Sequence, residues 1–105
     1  MRRGEVWWAN LPPPSGPRPV LLLSRDPAYA VRQFVTVASV TTRIRSIRSE
    51  VLLGPEEGLR RRSAVNLDII NTIPKASLER RVAGLSDEKL AAVDAAIHFA
   101  LALAE

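Results

Sequence analysis

With 105 residues and no cysteine, the chain is expected to fold as a single domain spanning residues 1–105, without disulfides, thiolate metal sites or a thiol nucleophile. No apolar run reaches the roughly 18 residues of a membrane span, and "MRRGEVWW" lacks a signal peptide's apolar core, so a cytoplasmic protein is expected. The net charge of +4 is uneven: residues 1–62 hold eleven Lys/Arg against five Asp/Glu, whereas residues 63–105 hold four against six.

In chain order, "EVWWANL" (5–11) is rich in β-formers and reads as a first strand. "PPPSGPRP" (12–19) is a stiff loop in which Pro19 biases Arg18 toward an extended backbone. "VLLLS" (20–24) is short and continuously apolar, as in a central strand covered on both faces. "RDPAYAVRQ" (25–33) reads as a turn or irregular link. "FVTVASVTT" (34–42) is dense in β-branched residues and gives the clearest strand.

"RIRSIRSEVLL" (43–53) begins as a basic segment and ends as a strand. "GPEEGLRRR" (54–62) combines turn chemistry with a basic run that reads as solvated. "SAVNLDIINTI" (63–73) is a strand with interleaved polar residues, and "LERRVAGL" (78–85) reads as another after the break at "PKAS". Ser86 caps a helix from about 87 to 104, with Asp87 and Glu88 in its first turn. Leu90, Val93, Ile97 and Leu101 make one apolar stripe, and Ala92, Ala96, Phe99 and Leu103 cover most of the opposite side. A helix apolar on two sides suggests a partner, most economically a second copy. Five or six short strands and one terminal helix predict a mainly β fold, a small twisted barrel with the helix laid on it.

Thirteen of the fifteen basic residues are arginine, whose planar fork suits phosphate. Nucleic-acid binding is one reading of that excess. Codon usage that turns lysines into solvated arginines is the other.

The order of parts resembles the MazF/PemK family, toxins of bacterial toxin–antitoxin pairs. "RRGEVWWANL" is similar to that family's opening strand, "GPRPVLLLS" to its Gly-x-Arg-Pro-Val strand and "ASVTT" to its Thr-bearing central strand. "SAVNLDIINTI" resembles the strand carrying an acidic residue, and "LERRVAGLSDEKLAAVDAAI" the last strand and helix. The match runs through nearly the whole chain. It implies an SH3-like small barrel, a homodimer, and metal-independent, sequence-specific cleavage of single-stranded RNA to 2′,3′-cyclic phosphate and 5′-hydroxyl ends. It also implies a cognate antitoxin that covers the RNA groove, and no cofactor. By the same resemblance Arg18 and Thr41 match the catalytic arginine and threonine, and Asp68 an acidic residue that participates in some members. Two features depart from the family pattern: "PPPSGP" lacks the glutamate or histidine of longer loops, and Asn66 stands where some members have arginine. A non-cleaving RNA-binding module, or a gyrase-poisoning toxin on the same fold, are the alternatives; the latter relies on a Trp-Gly-Ile-type C-terminus, whereas this chain ends "LALAE".

Metal-free RNA cleavage turns the 2′-hydroxyl on the adjacent phosphate. The protein must then fix in-line geometry, move protons and stabilise charge growing on the phosphoryl oxygens. Arg18, held by two prolines, suits that last task, and Thr41 adds a hydroxyl donor. Arginine keeps its proton, so Arg18 is no general base. The one histidine, His98, lies on the terminal helix, which removes a two-histidine mechanism within the chain. Asp68, expected near Arg18, is then the candidate base. For RNA binding the candidates are Trp7 or Trp8, whichever faces outward, with Ser39, Arg43, Arg45 and Asn66 along the same surface.

Overall fold

The computed structural model describes residues 1–103. Six strands form one antiparallel sheet: β1 (Glu5–Asn10), β2 (Pro17–Leu22), β3 (Phe34–Thr41), β4 (Glu50–Leu53), β5 (Ser63–Pro74) and β6 (Leu78–Gly84). A single helical turn, α1 (Ala28–Val31), replaces the expected irregular link, and α2 (Asp87–Ala100) follows β6. The strand order is β4-β5-β3-β2-β1-β6. The sheet curls so that Leu59, just after β4, shares a core with Ala83 of β6 at the opposite edge. This is the expected mainly β barrel with a terminal helix. No helix among the described residues is long and apolar enough to cross a membrane.

Both faces of the central strands are covered, which explains their unbroken apolar runs. Leu21, Ala38 and Val65 face α2 and pack with Val93 and Ala96. Val20, Leu22, Val35 and Val37 face the other way, toward Tyr29 of α1 and Ile73. The register of β3 on β5 jumps from Ala38↔Ile70 to Ser39↔Asn66, so residues 67–69 bulge from the ladder.

Ser86 caps α2 by accepting from the Lys89 N–H at 3.1 Å. Regular helix stops at Ala100 rather than 104; Ala102 has a left-handed φ of 55°, and residue 104 lies outside the described residues. Ala96, assigned from the sequence to the side away from the sheet, is buried with Val93, because its small side chain lets α2 approach. Phe99, on the outer side of α2, remains 45% exposed with the Arg48 guanidinium 4.1 Å from the centre of its ring. Leu101, expected on the stripe facing the sheet, lies past the last regular turn and is 53% exposed. Arg3 ties the helix down: its Nη2 meets Asp94 Oδ1 at 2.7 Å, its Nε donates to the Leu23 carbonyl, and its backbone N–H donates to Asp26.

At the edge of the barrel, Glu5 accepts from Trp7 Nε1 at 2.9 Å, from the Arg2 N–H at 3.0 Å and from Arg81 Nε at 3.1 Å. Burial would raise the Glu5 carboxyl, but the donors from Trp7, Arg2 and Arg81 outweigh it and hold it below the usual carboxylate value. A depressed folded value stabilises the fold above the unfolded pKa and loses that contribution as pH falls through the folded one. Glu5→Gln is therefore expected to cost about 1 kcal/mol near neutrality, the Arg81 pair being screened by solvent. Urea titrations at several pH values should show the gap from wild type closing below about pH 4.5, the ordinary value.

Candidate active site

The proline-rich loop delivers Arg18 to the sheet in a fixed orientation. Gly16, at φ +67°, closes the turn by donating its N–H to the Pro12 carbonyl at 3.2 Å, a backbone conformation that L side chains resist. Pro17 then starts β2, where Arg18 lies opposite Ala9 of β1. On the other side Val20 pairs with Ser39, the last pair of the β2–β3 ladder, and Arg18 and Thr41 each lie two residues beyond it on their own strands.

Arg18 Nη1 donates to Ser39 Oγ at 3.1 Å, while its Nε is buried with no acceptor. The ion pairs among the described residues are Arg3–Asp94 and Arg81–Glu5, so no carboxylate neutralises Arg18. Thr41 Oγ1 accepts the Arg43 N–H at 3.0 Å. With its acceptor side engaged, the hydroxyl hydrogen remains free to donate. Arg18 and Thr41 line one cleft of ≈ 200 Å³ with Pro17, Pro19, Thr42 and Ser63. The guanidinium is thus half-buried at a cleft wall, not turned into the core.

The remaining candidates are placed differently. Asp68 is exposed in the β5 bulge, where its Oδ2 accepts from the buried Ser49 hydroxyl at 2.5 Å and its N–H donates to Asn66 Oδ1 at 2.9 Å. Two strand spacings and between two and three residues along the register separate it from Arg18, on the order of 12 Å between Cα atoms. The expected Arg18–Asp68 pairing is not found among the described residues, because β3 lies between their strands and the bulge takes Asp68 out of the β5 ladder and onto Ser49. Asn66 is buried and paired in register with both Ser39 and Glu50. Arg43 and Arg45 are exposed, and Glu50 Oε1 shapes their segment by accepting the Arg45 and Ser46 N–H groups.

Trp7 packs against the core on the α1 side and donates to Glu5. Trp8 faces the other way, into a wider cleft of ≈ 860 Å³ at the barrel mouth, with the Arg80 guanidinium 5.5 Å from the centre of its ring. Arg60, Arg61 and Arg81 line the same cleft. These were not candidates from sequence. Their only local signal is a run of arginines, and the fold, not their spacing, brings them to Trp8.

A family model described as "PemK-like, MazF-like toxin of type II toxin-antitoxin system" matches residues 2–101. The chain is similar to a probable endoribonuclease, MazF5, of Mycobacterium tuberculosis, with 42% identity over 100 residues, covering 94% of this chain and 91% of that protein. It is also similar to the endoribonuclease EndoA of Bacillus subtilis, at 32% identity and 98% and 96% coverage. Among solved structures it resembles the M. tuberculosis toxin MazF-mt6, with a TM-score of 0.89, 33% identity and coverage of 96% and 99%. A mycobacterial endoribonuclease in complex with its cognate antitoxin also superposes with a TM-score of 0.89, at 27% identity and 100% and 98% coverage.

Proposed function

Because the chain belongs to the PemK-like, MazF-like family of type II toxins and is an endoribonuclease of that kind, we propose that Arg18 and Thr41 form its catalytic centre. The observation that carries this is an arginine that no carboxylate neutralises, lining one cleft with a threonine whose hydroxyl is free to donate. A phosphodiester in that cleft meets both side chains. The 2′-hydroxyl gives its proton to solvent water and attacks phosphorus, the O2′–P bond forms, and the P–O5′ bond breaks as O5′ takes a proton from solvent water. Arg18 and Thr41 stabilise the charge on the non-bridging oxygens between those events. The products are a 2′,3′-cyclic phosphate and a 5′-hydroxyl.

The working unit in this reading is a homodimer in contact through the outer side of α2, located in the cytoplasm and inhibited by a cognate antitoxin. Purified protein incubated with mixed-sequence single-stranded RNA in EDTA is expected to give discrete fragments with 5′-hydroxyl ends. Intact RNA under those conditions overturns the proposal.

Asp68 is the remaining carboxylate candidate, and its place in the bulge defines its test. Within one chain it forms no ion pair with Arg18 and does not line the Arg18–Thr41 cleft. Asp68→Asn is expected to keep cleavage within about tenfold of wild type, the amide still accepting from Ser49. A hundredfold fall in single-turnover rate, with unchanged thermal stability, would return the carboxylate to the proton path.

A further inference from the structure

The Arg18–Thr41 cleft does not end at its own walls. It shares Pro19, Thr42 and Ser63 with the wider cleft at the barrel mouth, so the two form one surface that turns around the ends of β2, β3 and β5. Trp8 presents its ring to that surface, with the Arg80 guanidinium lying over it. Arg60, Arg61 and Arg80 supply positive charge, and among the described residues no acidic one lines the wide cleft.

Arg60 and Arg61 sit in a loop that is held at both ends. Leu59 is buried in the core beside Ala83, Gly58 turns the chain at φ +99°, and Ser63 Oγ donates to the Arg61 carbonyl at 3.1 Å. Such a loop loses little conformational freedom when it binds a strand. A solvated basic run needs none of these anchors.

We propose that this mouth is a second nucleotide subsite, in which a base flanking the scissile phosphate stacks on Trp8 against Arg80 while Arg60 and Arg61 hold the neighbouring phosphates. The proposal rests on the reading of Arg18 and Thr41 as the cleavage site, since it is continuity with them that makes RNA the occupant. Stacking on an aromatic face tolerates any base, so the subsite extends the footprint and sets affinity more than it reads sequence.

The test uses the intact protein and a labelled 2′-O-methyl oligonucleotide of mixed sequence, about 12 nucleotides long, a length typical of single-strand sites. The methyl group removes the nucleophile, so binding is read without cleavage. Each phosphate contact on a single strand contributes about 0.7 to the slope of log Kd against log salt, so Arg60→Ala/Arg61→Ala should flatten that slope by about 1.4. Arg80→Ala should weaken binding more than Arg80→Lys, which keeps the charge. Tryptophan quenching on binding should persist in Trp7→Phe, where only Trp8 remains, and vanish in Trp8→Phe. An unchanged slope in the double variant, or quenching that follows Trp7, overturns the subsite. So does a double variant that binds the oligonucleotide normally but loses an acidic antitoxin, since the cleft then serves a protein partner. A wild type that binds this probe yet leaves ordinary RNA uncut would instead sink the cleavage reading.

Discussion

Replacing Arg18 with alanine should lower kcat/KM for RNA cleavage by roughly 100- to 1000-fold, the usual cost of losing one preorganised donor to developing charge. The same change should leave the fold intact and even slightly more stable. In the free protein, among the described residues, Arg18 Nε is buried without an acceptor and the side chain's one hydrogen bond is from Nη1 to Ser39. An unsatisfied buried donor costs about 1–3 kcal/mol, and alanine removes it. Urea unfolding and single-turnover cleavage, measured on one preparation, should therefore move in opposite directions. Arg18→Lys separates charge from geometry. An ammonium restores the positive charge but not the parallel pair of donors, and it should recover no more than about tenfold of the loss. If alanine destabilises the protein and lysine restores both stability and rate, Arg18 is a structural strand-end residue and the catalytic assignment fails.

What could be read along the chain depended on how local its cause was. The central strand "VLLLS" and the capped helix at Ser86 announce themselves, because burial on both faces and an unpaired helix N-terminus are written in neighbouring residues. The opposite orientations of Trp7 and Trp8 follow from the two-residue period of a strand. The extended backbone of Arg18 at the start of β2 was legible because two prolines flank it. Asp68 was misjudged in position, since a bulge is a break in register that no local pattern marks. Arg60 and Arg61 were read as solvated, and only the curl of the sheet reveals that they border the tryptophan of β1. The length of α2 was overestimated for a related reason: alanine and leucine continue past Ala100, and nothing nearby signals the left-handed turn at Ala102.

Thr41 makes a sharper test than its half-exposed position suggests, because its hydroxyl has two separable jobs. Its oxygen accepts the Arg43 N–H, which starts the basic segment, and its hydrogen is free for the phosphate. Thr41→Val keeps the shape and removes both, and should slow cleavage by roughly 10- to 100-fold, the worth of a hydrogen bond to a charged group. Thr41→Ser keeps both and should stay within a few-fold. A stability loss in Val comparable to the rate loss would place the effect in the Arg43 turn instead. The double variant Arg18→Ala/Thr41→Val then asks whether the two side chains hold one phosphate. Independent contributions would multiply, to at least a thousandfold. Donors sharing a phosphate do not behave so: once Arg18 no longer fixes the phosphate, Thr41 has no aligned oxygen to meet, and its removal should add less than about tenfold. Full multiplication would mean that the two residues act at different points on the RNA, and the cleft would lose its claim to be a single catalytic centre.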